Sequence, residues 1–378
     1  MACVSACSVG AVFKSCEDGF YFPRVDSDKC IRCGKCLAQC TAEKKPAAVE
    51  ISKAYICVAN DRTVYSNASS GGVFGTIAKY IIEKKGGIAV GAAFTDDCRV
   101  KHIAVDSEDD LSLIQGSKYV QSDCTEIYPL VEEKLRSGVN LVFSGTPCQI
   151  AALRRFLGKD YDNLLCVDIV CHGVPSPDYF SYHIKKQFPD TEFSKIAFRT
   201  KDKYDRYGFN LTLSSKNKTV LIPGTIDLYY RLFLKGMSFR ENCYSCPFAN
   251  SSRVGDITIG DCGNSGKYTD FHPDKTISTV YPITEKGIML WNEIKNLFLF
   301  REVNASEEIK ANAQLNFPSK RPVGRDGLYV GNDYIAAENK ALSILGRPSA
   351  KTIVKEKFKR IIPEASRHKL IYLIKRKQ

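Results

Sequence analysis

The sequence predicts an α/β protein, α+β in its overall mixture, built as a small cysteine-stapled module, a mixed-sheet α/β body and a helical basic C-terminal tail. Three observations carry this. Cysteines crowd the first 45 residues at two- and three-residue gaps, strand-like and helix-like stretches alternate from about residue 60, and the final stretch KTIVKEKFKRIIPEASRHKLIYLIKRKQ is amphipathic and basic. The expected boundaries are 1–45 for the module, 60–300 for the body (60–140 and 141–300 as its two parts) and 301–378 for the tail.

The 378 residues suffice for roughly two to three domains. No stretch approaches the ~18 apolar residues of a membrane span, and no basic-then-apolar leader opens the chain, so a soluble cytoplasmic protein is expected. Sixteen cysteines in such a chain, clustered too tightly for ordinary bridging, favour metal or cluster ligation over disulfides. The net charge of +12 sits largely in the tail. One reading of that tail is a solvated, partly packed element. The sharper one is peripheral docking to an anionic membrane surface or acidic partner. No nucleic-acid-binding motif is visible, so no nucleic-acid partner is expected.

In the module, Cys30, Cys33, Cys36 and Cys40 have the C-x2-C-x2-C-x3-C spacing of a bacterial ferredoxin run. The fourth cysteine of such a run serves the other cluster, so Cys30, Cys33 and Cys36 need a ligand from upstream, and Cys7 supplies it. That makes one complete 4Fe-4S set. Cys3 and Cys40 are then two ligands of an incomplete second cluster, whose other two cysteines are expected ahead of Met1; either the chain starts further upstream or it holds one ferredoxin cluster. Tetrahedral zinc is the alternative for C-x2-C pairs. Cys16 and Cys57 fall outside the pattern and read as plain buried thiols.

Along the body, Gly71-Gly72 opens a helix VFGTIAKYIIEKK, followed by strands GIAVGAAF and RVKHIAV and a short helix SEDDLSLI capped by Ser107. A helix over 125–136, the strand NLVFSG, the helix QIAALRRFL, the strand NLLCVDIV and a helix over 177–187 come next. Further strands are expected at 193–198, 208–214, 218–222, 256–260 and 276–282, and helices near 225–235, 285–297 and 327–343.

Several stretches have the chemistry of a site. Ser69, Ser70, Gly71 and Gly72 precede a helix, whose N–H groups could face an anion such as a pyrophosphate; an ordinary Ser-Gly helix start is the other reading. Gly116, Ser117, Lys118 and Tyr119 combine a glycine, a hydroxyl, a cation and a ring, suiting a phosphate-bearing planar cofactor or any loop. Gly145, Thr146 and Pro147 follow a strand and open a helix, where open α/β sheets place ligands. Cys148 and Cys171 would each sit at a strand tip, and Cys243-x2-Cys246 completes a four-thiolate set for a second kind of Fe-S site; the other reading makes them core residues and a redox or zinc knuckle. His172 is a weak acid/base candidate, and His102 reads as structural.

These phrases in this order, SSGGVF, GSKYVQS, GTPCQIAALR, CHGVPSP, CYSCPFA and GDITIGD, resemble the coenzyme F420 hydrogenase/dehydrogenase beta-subunit family of iron-sulfur flavoproteins. The resemblance covers about 60–300, and the N-terminal part is similar to that of the longer members. It implies a flavoprotein oxidoreductase whose body binds FAD and carries a 4Fe-4S cluster at Cys148, Cys171, Cys243 and Cys246. Ser69 to Gly72, Gly116 to Tyr119 and Gly145 to Pro147 become flavin-site candidates. One to three 4Fe-4S clusters would exchange electrons with the flavin. A redox partner protein or ferredoxin, and coenzyme F420 or a related hydride carrier or a sugar or polysaccharide intermediate, are the implied partners and substrates. A non-catalytic electron-transfer subunit is the alternative. Where the family commonly reads GDFWG, this chain has Gly260-Asp261-Cys262-Gly263-Asn264; Cys262 could replace a cluster ligand or fill space.

Overall fold

The computed structural model describes residues 1–378 apart from 44, 203, 205–207, 273–275, 362–365 and 367–378. Its centre is a nine-stranded mixed sheet in the order Phe298–Val303, Ala54–Ala59, Ser278–Pro282, Ile257–Asp261, Leu164–Ile169, Leu141–Gly145, Ile88–Phe94, Val100–Val105, Ser122–Asp123. The four strands from Ile257–Asp261 to Ile88–Phe94 are mutually parallel, and antiparallel strands flank them. Continuous apolar strands such as LVFSG, every residue buried, need cover on both faces. Helices Val73–Lys85 and Glu285–Ile294 pack one face around Ile77, Ile81, Val142, Trp291 and Ile294. Helices Ile127–Arg136 and Pro147–Leu157 cover the other with Tyr128, Val131, Ile150 and Leu153.

A second, aromatic core joins helix Pro177–Gln187, helix Leu228–Leu234 and a three-stranded antiparallel sheet, Lys195–Phe198, Asn210–Ser214 and Thr219–Pro223. Phe20, from the N-terminal hairpin Val12–Glu17/Phe20–Val25, enters this core. The module is therefore docked, not tethered. Helix Ala2–Ser5 lies on helix Pro147–Leu157, and the Ser5 hydroxyl donates to the Thr125 carbonyl at 2.6 Å.

Most expected helices and strands occur within a few residues. Two details differ. Ser107 does not cap a helix: its Oγ accepts from the Asp109 N–H in a turn, and the helix begins at Leu111. Cys16 is not a plain buried thiol, since it is half-buried and donates to Asp178 Oδ2 at 2.8 Å. Cys57 is fully buried, in Ala54–Ala59. Of the 301–378 stretch, residues up to about 345 pack on the body through Glu308, Leu315, Leu328, Tyr329, Ala337 and Ala341. Helix Ala350–Lys359 follows, with Val354 and Phe358 exposed. The second basic helix expected in the tail falls almost wholly outside the described residues. No helix among the described residues is long and apolar enough to cross a membrane.

Candidate functional site

The parallel strands end together, and beyond their carboxyl ends lies a cavity of about 290 Å³. This is where open α/β sheets present ligands, because the loops leaving adjacent strands diverge there. Its lining draws on all three expected flavin segments: Ser69, Ser70 and Gly72; Gly116, Ser117, Lys118 and Tyr119; Gly145 and Thr146. Cys171 and His172 join them from the loop after Leu164–Ile169. Two expected residues do not line it. Gly71 is built into the sheet, where its N–H donates to Ser278 Oγ at 2.8 Å and its carbonyl accepts from Ala59 N–H at 2.7 Å. Pro147 is buried as the first residue of its helix.

Gly72, at φ +89°, turns the chain into helix Val73–Lys85 with no side-chain cap. The first-turn N–H groups therefore remain available, and Gly72, Val73, Phe74 and Gly75 all line the cavity. Ser69 Oγ accepts from the Ser117 N–H at 2.8 Å, tying the first two segments together. At Thr146 the helix start is closed by Gln149, whose Oε1 accepts from the Thr146 N–H at 2.9 Å. The Lys118 ammonium donates to the carbonyls of Gln115 at 2.6 Å and Leu113 at 3.0 Å, and burial pushes its pKa down to about 7. Gln115 lines the same cavity, and its buried Nε2 has no hydrogen-bond partner. With Ile114, Ile169, Val170, Phe233 and Ile259 forming apolar wall, the site has a cation, orphan donors and a hydrophobic slot. Those are the groups that a phosphate-bearing planar cofactor needs.

Sequence reasoning missed Arg199. It is buried at the cavity with φ +59°, and its Nη1 donates to Asp261 Oδ2 at 2.6 Å. A non-glycine residue in the left-handed region is a local cost that persists only where surrounding structure fixes it. The missed signal is Asp261 itself, the charged end of GDITIGD, which needed a cation from elsewhere. His102 also lines the cavity, stacked on Phe143; its Nε2–H donates to the Ser144 carbonyl at 3.0 Å, so Nδ1 accepts from Ser122 Oγ at 2.7 Å. Burial holds its pKa near 4, and the ring stays neutral. Desolvation also lowers the pKa of His172, with Asp261 opposing.

The four body cysteines come together. Cys148 opens helix Pro147–Leu157, Cys171 follows Leu164–Ile169, and Cys243 and Cys246 flank the end of the tight turn Glu241–Ser245. Cys171 lies within electrostatic reach of Cys243, Cys148 and Cys246, Cys243 of Cys148 and Cys246, and Cys246 of Cys148. All six pairings are therefore present. Burial first, and this mutual repulsion next, push the Cys171 thiol up. Four soft donors that resist ionising together are a set whose natural complement is positively charged iron. Cys262 is elsewhere, buried among Ile56, Val58, Phe271 and Ile277 with its thiol toward Glu308; it is space-filling.

In the module, helix Ala2–Ser5, carrying Cys3, packs on helix Lys35–Ala38, carrying Cys36, and Cys3 and Cys40 interact electrostatically. Cys7 Sγ accepts the Val12 N–H at 3.4 Å, and that bond, with help from the neighbouring N–H groups of Val9, Ala11 and Gly10, draws its pKa down. Cys33 is exposed, and Cys30 and Cys36 are half-buried. Among the described residues no group of three or more His, Cys, Asp or Glu side chains has the geometry to hold a single metal ion.

Residues 139–306 match the family model for the C-terminal part of the coenzyme F420 hydrogenase/dehydrogenase beta subunit. The resemblance carried by GTPCQIAALR, CHGVPSP, CYSCPFA and GDITIGD is borne out, and the protein is hydrogenase/dehydrogenase beta-subunit-like. A chain from a xenon-derivatized F420-reducing NiFe hydrogenase complex of Methanosarcina barkeri aligns with a TM-score of 0.47 and 17% identity, covering 71% of this chain and 90% of that one. No curated protein matches.

Proposed function

We propose that the protein is an iron-sulfur flavoprotein oxidoreductase, with FAD in the cavity at the strand ends and a 4Fe-4S cluster on Cys148, Cys171, Cys243 and Cys246. One observation carries this reading: Cys171 belongs both to the cavity wall and to the four-thiol set. When bound, FAD would accept a hydride as an electron pair and release electrons singly, and thiolate-held clusters take one electron each. The chain's own residues do the rest. The free N–H groups at Gly72 to Gly75 and the Lys118 ammonium would hold the cofactor's phosphates, and Gln115 Nε2 would donate to a polar edge of its ring system. Arg199, fixed by Asp261, places a cation at the cavity wall, and His172 is positioned to hold or move a proton at a substrate bound there. The substrate class is a hydride carrier such as coenzyme F420 or a sugar-type intermediate. Cys7, Cys30, Cys33 and Cys36 would carry a further cluster as the outlet to a redox partner.

A second reading, a relay subunit that depends on a separate enzyme, is favoured by the exposure of Ile31 and Leu37 beside exposed Cys33. Turnover separates the two: the anaerobic protein alone should oxidise or reduce a hydride donor, and a relay subunit would not. The site assignment is tested by two variants. Cys33→Ser should lose one cluster's iron and keep flavin, whereas Cys246→Ser should slow or abolish flavin reduction. Identical behaviour of the two would overturn the two-site reading.

A further inference from the structure

Arg240 immediately precedes the tight turn Glu241–Ser245 that carries Cys243, and its N–H is fixed to the Val174 carbonyl at 2.9 Å. Its guanidinium is half-buried, and Nε is a buried donor with no partner. Other buried arginines of the body are compensated. Arg253 has Asp168 at 2.9 Å, Arg199 has Asp261 at 2.6 Å, and Arg154 has Asp256 at 3.1 Å. Arg240 has no such carboxylate among the described residues. Its sequence neighbour Glu241 pairs with Arg321 instead. Burial destabilises its cation, and the groups that oppose this are the thiols of Cys243 and Cys148. The one other contact is aromatic: the guanidinium carbon lies 4.2 Å from the centroid of Phe22, on the N-terminal hairpin.

A buried cation without an anion is costly, and the site offers sulfur as the sole source of negative charge. We infer that Arg240 is the counter-cation of the Cys148, Cys171, Cys243 and Cys246 set, held over it by Phe22, so that docking of the N-terminal hairpin sets the reduction potential of the body cluster. This rests on the cluster assignment proposed above. Reduction adds one negative charge to the cluster, and a fixed cation in a poorly solvated site stabilises that added charge. Phe22 supplies the ring face on which a planar guanidinium stacks.

The test is a redox titration followed by electron paramagnetic resonance on the anaerobically purified full chain, with the body-cluster signal identified by its loss in Cys246→Ser. Arg240→Gln should move that midpoint to a more negative potential by tenfold or more in the one-electron equilibrium, about 59 mV. Arg240→Lys should stay close to wild type, Phe22→Leu should move in the same direction as Arg240→Gln by less, and the N-terminal cluster should not move in any of them. A midpoint unchanged in Arg240→Gln at wild-type iron content would overturn the inference and leave the cluster assignment standing. Equal shifts in Arg240→Lys and Arg240→Gln would reduce Arg240 to a packing residue and also overturn it. A wild-type protein with no signal that depends on Cys246 would overturn the functional reading beneath it.

Discussion

At Asp168 one carboxylate holds three chain segments: Oδ1 accepts from Arg253 at 2.9 Å, Oδ2 accepts from the Gly255 N–H at 3.0 Å, and both charged side chains are essentially solvent-free. Asp168→Ala would leave Arg253 buried without its anion, and the expected cost is about 3–5 kcal/mol. A urea-unfolding midpoint checks this; a loss within the range of surface substitutions would contradict it. His102 gives a pH dependence. Its folded pKa is near 4, held down by burial, against 6.5 for the free side chain, so between these values the unfolded chain binds the proton that the folded one excludes. Stability from this residue is present above pH 6.5 and falls as the pH drops toward 4, by about 3 kcal/mol at most. His102→Gln should flatten that part of the stability curve. The Asp261 carboxylate was visible in the sequence, but its partner Arg199 was not, because a salt bridge 62 residues apart has no local pattern.

The helix that begins after Gly72 shows how an element serves the site. Its start is set by two glycines with different jobs: Gly72 makes the left-handed turn, and Gly71 lets the backbone lie flat on the sheet. A Cβ at Gly71 would stand 2.3 Å from the Cys57 carbonyl and 2.8 Å from the Ser278 N–H, both backbone atoms that cannot swing away. Gly71→Ala should therefore cost roughly 1–3 kcal/mol by forcing backbone shifts, and flavin occupancy should drop with it. Thermal unfolding and flavin absorbance after gel filtration measure the two effects. Elements with strong punctuation were legible in advance. Pro177–Gln187 was expected at the residues it occupies, because Ser176 and Pro177 supply a cap and a first-turn proline. The strand Ala54–Ala59 was not read, although it lies near the middle of one half of the sheet. Its six-residue apolar run, buried throughout, has no alternation and follows what looked like a linker. The hairpin Val12–Val25 was hidden in the same way, among cysteines that drew a ligand reading.

Across the whole molecule, the module and body share a core, with Phe20 in the aromatic cluster and Phe22 on Arg240. The cysteine sets were legible because ligand spacing is a local property, and the cavity segments because glycine and hydroxyl residues at strand ends have few other reasons to occur together. What could not be read was convergence: that residues from 69, 116, 145, 171 and 199 meet in one space is decided by strand order, which local patterns do not encode. The account's central claim is that this space holds a flavin beside a thiolate-bound cluster. Anaerobic purification of the full chain, with iron, acid-labile sulfide and FAD quantified on the same sample, tests it most directly. The expected result is bound FAD together with iron and sulfide, with both iron and sulfide reduced in Cys171→Ser; a colourless protein with neither iron nor flavin would contradict the account.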